Sequence, residues 1–217
     1  MDWSAIARDV RQAKSAAVAG LVFGVILIVV LVLLQFAAPS SVADSGRWID
    51  DLSYRGEVVN ALRLIPFAGI AFLWFLAVVR SQLGHREDRF FETVFLGSGL
   101  LFVSMLFAAA AVLGSALSLR EAGVALAPGA AAQAWSLAAL LLGQFGARMA
   151  AVFAIAVSTA GLRVGSLPRW LVAFGYATGL LLLLAPPFPR WVVFLFPLWV
   201  IALSLLVLVR KPPTMEP

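Results

Sequence analysis

Cysteine is absent from this 217-residue chain, histidine occurs once, at His85, and only 12% of the residues are charged. Without cysteine there is no disulfide framework, no iron–sulfur ligation and no thiol chemistry. One histidine cannot supply the three or four ligands of a zinc site. Nor can a Ser-His-Asp arrangement be read from a single histidine in a short polar turn. No phosphate-cradling glycine loop, paired-carboxylate pattern or haem-ligand pair stands out, so an enzyme is disfavoured and neither metal nor cofactor is expected. Soluble domains devote about a quarter of their residues to charge in order to cover their surface with polar groups. This chain cannot do that.

What fills the chain instead is hydrocarbon: 63% of residues are hydrophobic and the mean hydropathy is +1.01. Its solvent is therefore lipid, and its length suits one compact helical bundle. The net charge of +5 does not point to nucleic acid, because the basic residues are scattered between apolar runs and form no stripe. They read as topology signals.

Residues 2 to 15 place Trp3, Ile6, Ala7 and Val10 at helical spacing, with Arg8, Arg11 and Lys14 elsewhere on the wheel. That pattern predicts a short amphipathic helix lying in the headgroup layer. Apolar runs long enough to cross a core of about 30 Å then follow. They fall at about 16–38, 58–80, 90–118, 133–162, 169–185 and 190–209. The expected fold is an all-α polytopic membrane bundle of six transmembrane helices in a single domain, 1–217. The polar segment 39–57, with Trp48, Ile49, Leu52 and Tyr54, is expected to rest on the membrane surface.

Alternate connections divide the charge unevenly. Arg8, Arg11, Lys14, Arg80, Arg86, Arg89, Arg163, Arg169, Arg210 and Lys211 fall on one side; Arg47, Arg55, Arg120 and Arg190 fall on the other. Lys and Arg accumulate on the cytoplasmic side, which predicts both termini inside. Arg63 and Arg148 remain within spans.

Those two arginines are the sharpest chemical signals. An arginine at bilayer depth costs at least about 2.5–3.5 kcal/mol on insertion scales, so Arg148 should face an interior or a wet cavity and find a partner. It follows Gln144 by one turn. It reads either as an anion, lipid-phosphate or permeation site, or as a structural arginine bonded to carbonyls and Gln144. Arg63, near Asn60 and Pro66, either shares an outward cavity with Arg148 or snorkels to the headgroups. Glu92 reads as a proton-exchanging carboxylate at an inner mouth, or as a charge stabilised at a helix N-terminus. The cytoplasmic turn His85, Arg86, Glu87, Asp88 and Arg89 is expected to cap a helix, balance charge and offer a docking point for partners. Small residues at Ala16, Gly20 and Gly24, and at Gly97, Ser98 and Gly99, predict close helix packing within or between subunits.

Two stretches carry a wider likeness, Leu64-Ile65-Pro66-Phe67-Ala68-Gly69-Ile70-Ala71-Phe72-Leu73-Trp74-Phe75 and Glu87 to Phe102. Through them the chain resembles a group of small actinobacterial integral membrane proteins without an assigned activity. The resemblance covers mainly residues 60–110 and implies a bacterial plasma-membrane protein. Three functions fit these readings. One is a transport or permeation unit with Arg63, Arg148, Gln144 and Asn60 around an outward cavity and Glu92 at the inner mouth. The second is an accessory or scaffold subunit, and the third an enzyme that binds a lipid phosphate. The expected partners are bilayer lipid, including anionic lipid, and a second copy or another membrane protein.

Overall fold

The computed structural model describes residues 3–40, 44, 46–83, 89–184 and 190–209. Among them all regular structure is helical. Helix α1 runs Trp3–Ala37, α2 Arg47–Asp50, α3 Leu52–Leu83 and α4 Arg89–Glu121. Then α5, Ala130–Leu140, passes through a π-helical turn, Leu141–Gly146, into α6, Ala147–Arg163. Helix α7 is Arg169–Leu184, and a 3₁₀ turn, Arg190–Phe194, leads into α8, Leu195–Val209.

Five of these segments are long and apolar enough to cross a membrane: Ala17–Ala37, Leu52–Ala77, Glu92–Glu121, Ala130–Arg163 and Trp191–Val209. Helix α7, with 16 residues, is a shorter apolar helix. The expected break between an amphipathic N-terminal helix and the first span is not there. No proline or glycine interrupts residues 3–19, so the helix propagates through the boundary and α1 reaches 35 residues. At 1.5 Å per residue that is about 52 Å, longer than the hydrocarbon core. Pro39 then disfavours helix at the preceding residue and stops α1.

Helix α1 lies along α3 and α8, α4 sits between α3 and α6, and α7 packs along α6 and touches α8. Each helix is apolar on both faces but sorts them by shape. On α1, Phe23, Leu27, Val30 and Leu34 are buried, while Val18, Val22, Val25, Val29 and Val32 form an exposed stripe. Outward hydroxyls in the spans are satisfied by their own helices: Ser104 donates to the Leu100 carbonyl and Ser118 to that of Gly114, both at 2.9 Å. This is how a polar side chain is accommodated where water is absent.

Aromatic rings fill the middle of the bundle. Phe23 lies 4.6 Å from Phe72, Phe72 lies 5.3 Å from Phe153, and Phe102 lies 5.1 Å from Phe196. Trp199 packs edge-on to Phe153 at 6.3 Å. Helices α1, α3, α4, α6 and α8 thus all contribute to one plug. Glycines let the backbones close around it. Gly20 faces Ser204 and Phe75, and Gly175 faces Ser158 and Trp199, so a side chain at either would collide with the next helix.

The segment after α1 forms one helical turn, α2, and its apolar side chains divide: Leu52 is exposed, whereas two others turn inward. Trp48 and Ile49 are buried. The Trp48 indole N–H donates to the Ala131 carbonyl at 3.0 Å, and its ring lies 5.7 Å from Trp135. The single turn of α2 therefore caps one end of the bundle, because a buried indole can bury its apolar body and still find an acceptor. Arg47 covers the Tyr54 ring at 4.2 Å on the outer side of this cap.

Candidate functional site

The π turn Leu141-Leu142-Gly143-Gln144-Phe145-Gly146 divides the longest span. A π turn widens the helix by an extra residue and re-aims what precedes it. Beyond the turn α6 packs on both α4 and α7; before it, α5 packs chiefly on α4. The divergence leaves a cavity of about 360 Å³.

Consecutive spans alternate in direction, so the cavity occupies the end of the bundle that carries the α1–α3 and α4–α5 connections. Leu27, Val30, Leu31 and Leu34 of α1, Leu106 and Leu113 of α4, and Leu142, Ala147 and Ala150 make its walls. Leu182 of α7 and Val193 of the 3₁₀ turn before α8 complete them. Phe102 and Phe196 close it toward the aromatic plug, and Trp135, beneath Trp48, lines the capped end. Gln35 and Ser136 near the cap, and Gln144 deeper in, are its polar side chains. Gly143 also lines it, and nothing lies within 4 Å of where its Cβ would stand.

Gln144 and Arg148 are brought together. The Arg148 Nη1 donates to the Gln144 carbonyl at 2.9 Å and also to the Gln144 side-chain oxygen Oε1. The guanidinium is partly buried, and its Nε and Nη2 have no partner among the described residues. Gln144 reaches the cavity; Arg148 stands behind it and does not line this cavity.

The remaining candidates lie elsewhere. Asn60 and Arg63 are exposed on the outward face of α3, on the same stripe as Phe67, Ile70 and Trp74, and do not line the cavity. Glu92 sits in the first turn of α4 and accepts from Arg80 Nε at 2.6 Å, an ion pair that ties the end of α3 to the start of α4. His85, Arg86, Glu87 and Asp88 lie outside the described residues, and Arg89 is the first residue of α4. In the Gly97-Ser98-Gly99 stretch the α4 helix is unbroken. Gly99 meets Leu76 and Phe153, and Ser98 donates to the Phe95 carbonyl at 3.1 Å. A second, polar recess of about 390 Å³ lies beside the exposed Asp50–Arg120 pair, 3.4 Å apart, under the 125–129 loop.

Sequence reasoning singled out Gln144 and Arg148 and missed Gln35, Trp135, Ser136 and Gly143. The signal available was the Gly143–Gly146 pair flanking a glutamine inside an apolar run. Compared with models of protein families, with curated proteins and with solved structures, the chain matches none.

Proposed function

We propose that this chain is a six-span plasma-membrane protein, with both termini in the cytoplasm, that takes one hydrocarbon chain of a lipid or lipophilic molecule into the cavity beside the π turn. The orientation rests on the bias of ten basic residues to one set of connections against four on the other. Helix α7 is the sixth crossing in this reading, since it lies between α6 and α8 and its exposed side is leucine-rich.

The observation that carries the functional reading is the character of the cavity: aliphatic walls, an aromatic floor at Phe102 and Phe196, and a cap made by Trp48 over Trp135. Its volume of about 360 Å³ sits at the lower end of the range for small-molecule sites. That suits one chain rather than a whole phospholipid. A water-filled route through one copy would have to pass the packed rings of Phe23, Phe72, Phe102, Phe153 and Phe196, which favours a lipophile over an ion or polar solute as the cargo.

An accessory role finds separate support on α3. Asn60 and Arg63 stand on an exposed face of a span, where polar groups are costly unless they reach headgroups or meet another protein.

Native mass spectrometry of the protein released from nanodiscs tests the cavity reading. Wild type is expected to retain one lipid-chain ligand per copy, and Gly143→Phe, whose Cβ enters open space at the cavity wall, to lose it. Equal retention by both proteins would refute the assignment.

A further inference from the structure

The geometry points to a hydrogen-bond donor, not an acceptor, as the polar group that the deeper half of the cavity offers its occupant. This inference rests on the cavity being a lipid-chain site. Arginine carries donors only, so the atom of Gln144 that faces Arg148 must be the side-chain oxygen. The amide is thereby fixed in one of its two orientations, with the Nε2 amino group turned away from the guanidinium. Gln144 lines the cavity, and its Nε2 has no partner among the described residues.

The side chains that share this depth, Leu27, Phe102, Leu106, Ala147 and Ala150, contain no acceptor. The next polar side chain on the same wall, Ser136, is eight residues back, about 12 Å along the axis. Behind the amide, the Arg148 charge draws electrons through Oε1 and sharpens the N–H groups as donors.

The cavity therefore selects chains bearing an oxygen acceptor, a ketone, ester or carboxylate, over plain hydrocarbon. A carboxylate gains further from Arg148, whose positive charge offsets its burial in a medium of low dielectric constant. A bare donor matched to a bare acceptor in hydrocarbon is worth about five- to tenfold in affinity.

The full chain in neutral phosphatidylcholine nanodiscs, loaded with a neutral polyene hydrocarbon probe, provides the test. Competitors are a long-chain alkane, the methyl ketone of equal length and the corresponding fatty acid. In wild type the ketone is expected to displace the probe about five- to tenfold better than the alkane, and the fatty acid at least as well as the ketone. Gln144→Glu keeps a partner for Arg148 but removes the amino group, so the ketone should fall to the level of the alkane and the fatty acid below it. Gln144→Leu, which offers neither donor nor acceptor, should equalise ketone and alkane as well. Equal competition by ketone and alkane in wild type would overturn the inference, as would a ketone advantage that survives in both variants. Gly143→Phe separates the two levels. If it still binds the probe, or if wild type never does, the cavity reading itself fails. If it excludes the probe while the ketone has no advantage, only the donor inference fails.

Discussion

Helices α5 and α6 are two halves of one span, both rich in alanine, and the half that carries the charge, with Arg148 and Arg163, is the more buried of the two. Ten of the 17 residues of α6 are buried, from Ala147 to Gly161; of the 11 in α5, Ala138 alone is. Ala154, Val157 and Ser158 of α6 sit among α7, α8 and the aromatic plug, whereas Leu137 and Leu140 of α5 are 45% and 47% exposed. Six residues of π-helical backbone separate the two conditions. The lesson is that hydrophobicity does not decide what packs in a membrane bundle, because lipid tails are as apolar as leucine. Fit between surfaces decides it, and a local change of helical register is enough to withdraw a fitted surface and leave a cavity.

The sharpest way to break this contrast is to cut into each half. Phe153→Ala, at the centre of the plug, should cost about 3–5 kcal/mol, while Leu137→Ala on α5 should be close to neutral, as read by thermal unfolding in detergent. If both substitutions destabilise equally, the two halves do not differ as described.

Glycines offer the next comparison. Gly175→Leu would drive a side chain into Ser158 and Trp199 and should lose about 1–3 kcal/mol. Gly143→Leu has open space before it and replaces a helical glycine, so it should be neutral or stabilise by up to about 1 kcal/mol. Unfolding midpoints of the two variants should therefore move in different directions or by clearly different amounts.

The smallest effect concerns a buried hydroxyl. Ser204 is fully buried against Gly20 with no hydrogen-bond partner among the described residues. Ser204→Ala should stabilise by about 1 kcal/mol, the reverse of the usual sign for a core substitution. A loss of stability would mean that the hydroxyl has a partner that this packing does not include.

The limits of several helices can be read from the chain because proline and charge punctuate the apolar runs. The expected 169–185 run corresponds to Arg169–Leu184, and the expected 16–38 run ends one residue beyond the Ala37 terminus of α1. The pairing of Gln144 with Arg148 was legible too, since residues four apart share a helix face. The inward faces were not. On α1 the exposed stripe of valines and the buried stripe through Phe23 are both apolar, so a 3.6-residue period carries no contrast. The π turn showed only as the glycines Gly143 and Gly146 around Gln144, because a change of register is visible in a pattern only where one face differs chemically from another. The burial of Trp48 against protein was not legible, because a tryptophan beside aspartates has the composition of an interfacial anchor. Its burial depends on an acceptor at Ala131, 83 residues away.

Photo-crosslinking with a palmitate that carries a diazirine in mid-chain, followed by mapping of the labelled residues, tests the cavity most directly. On this account label should concentrate on Leu27 to Leu34 facing inward from α1 and on Leu140 to Ala147, and Gly143→Phe should remove it. Label confined to the outward stripe of Val18, Val22 and Val25, and unchanged by that substitution, would mean that lipid only surrounds the bundle and does not enter it.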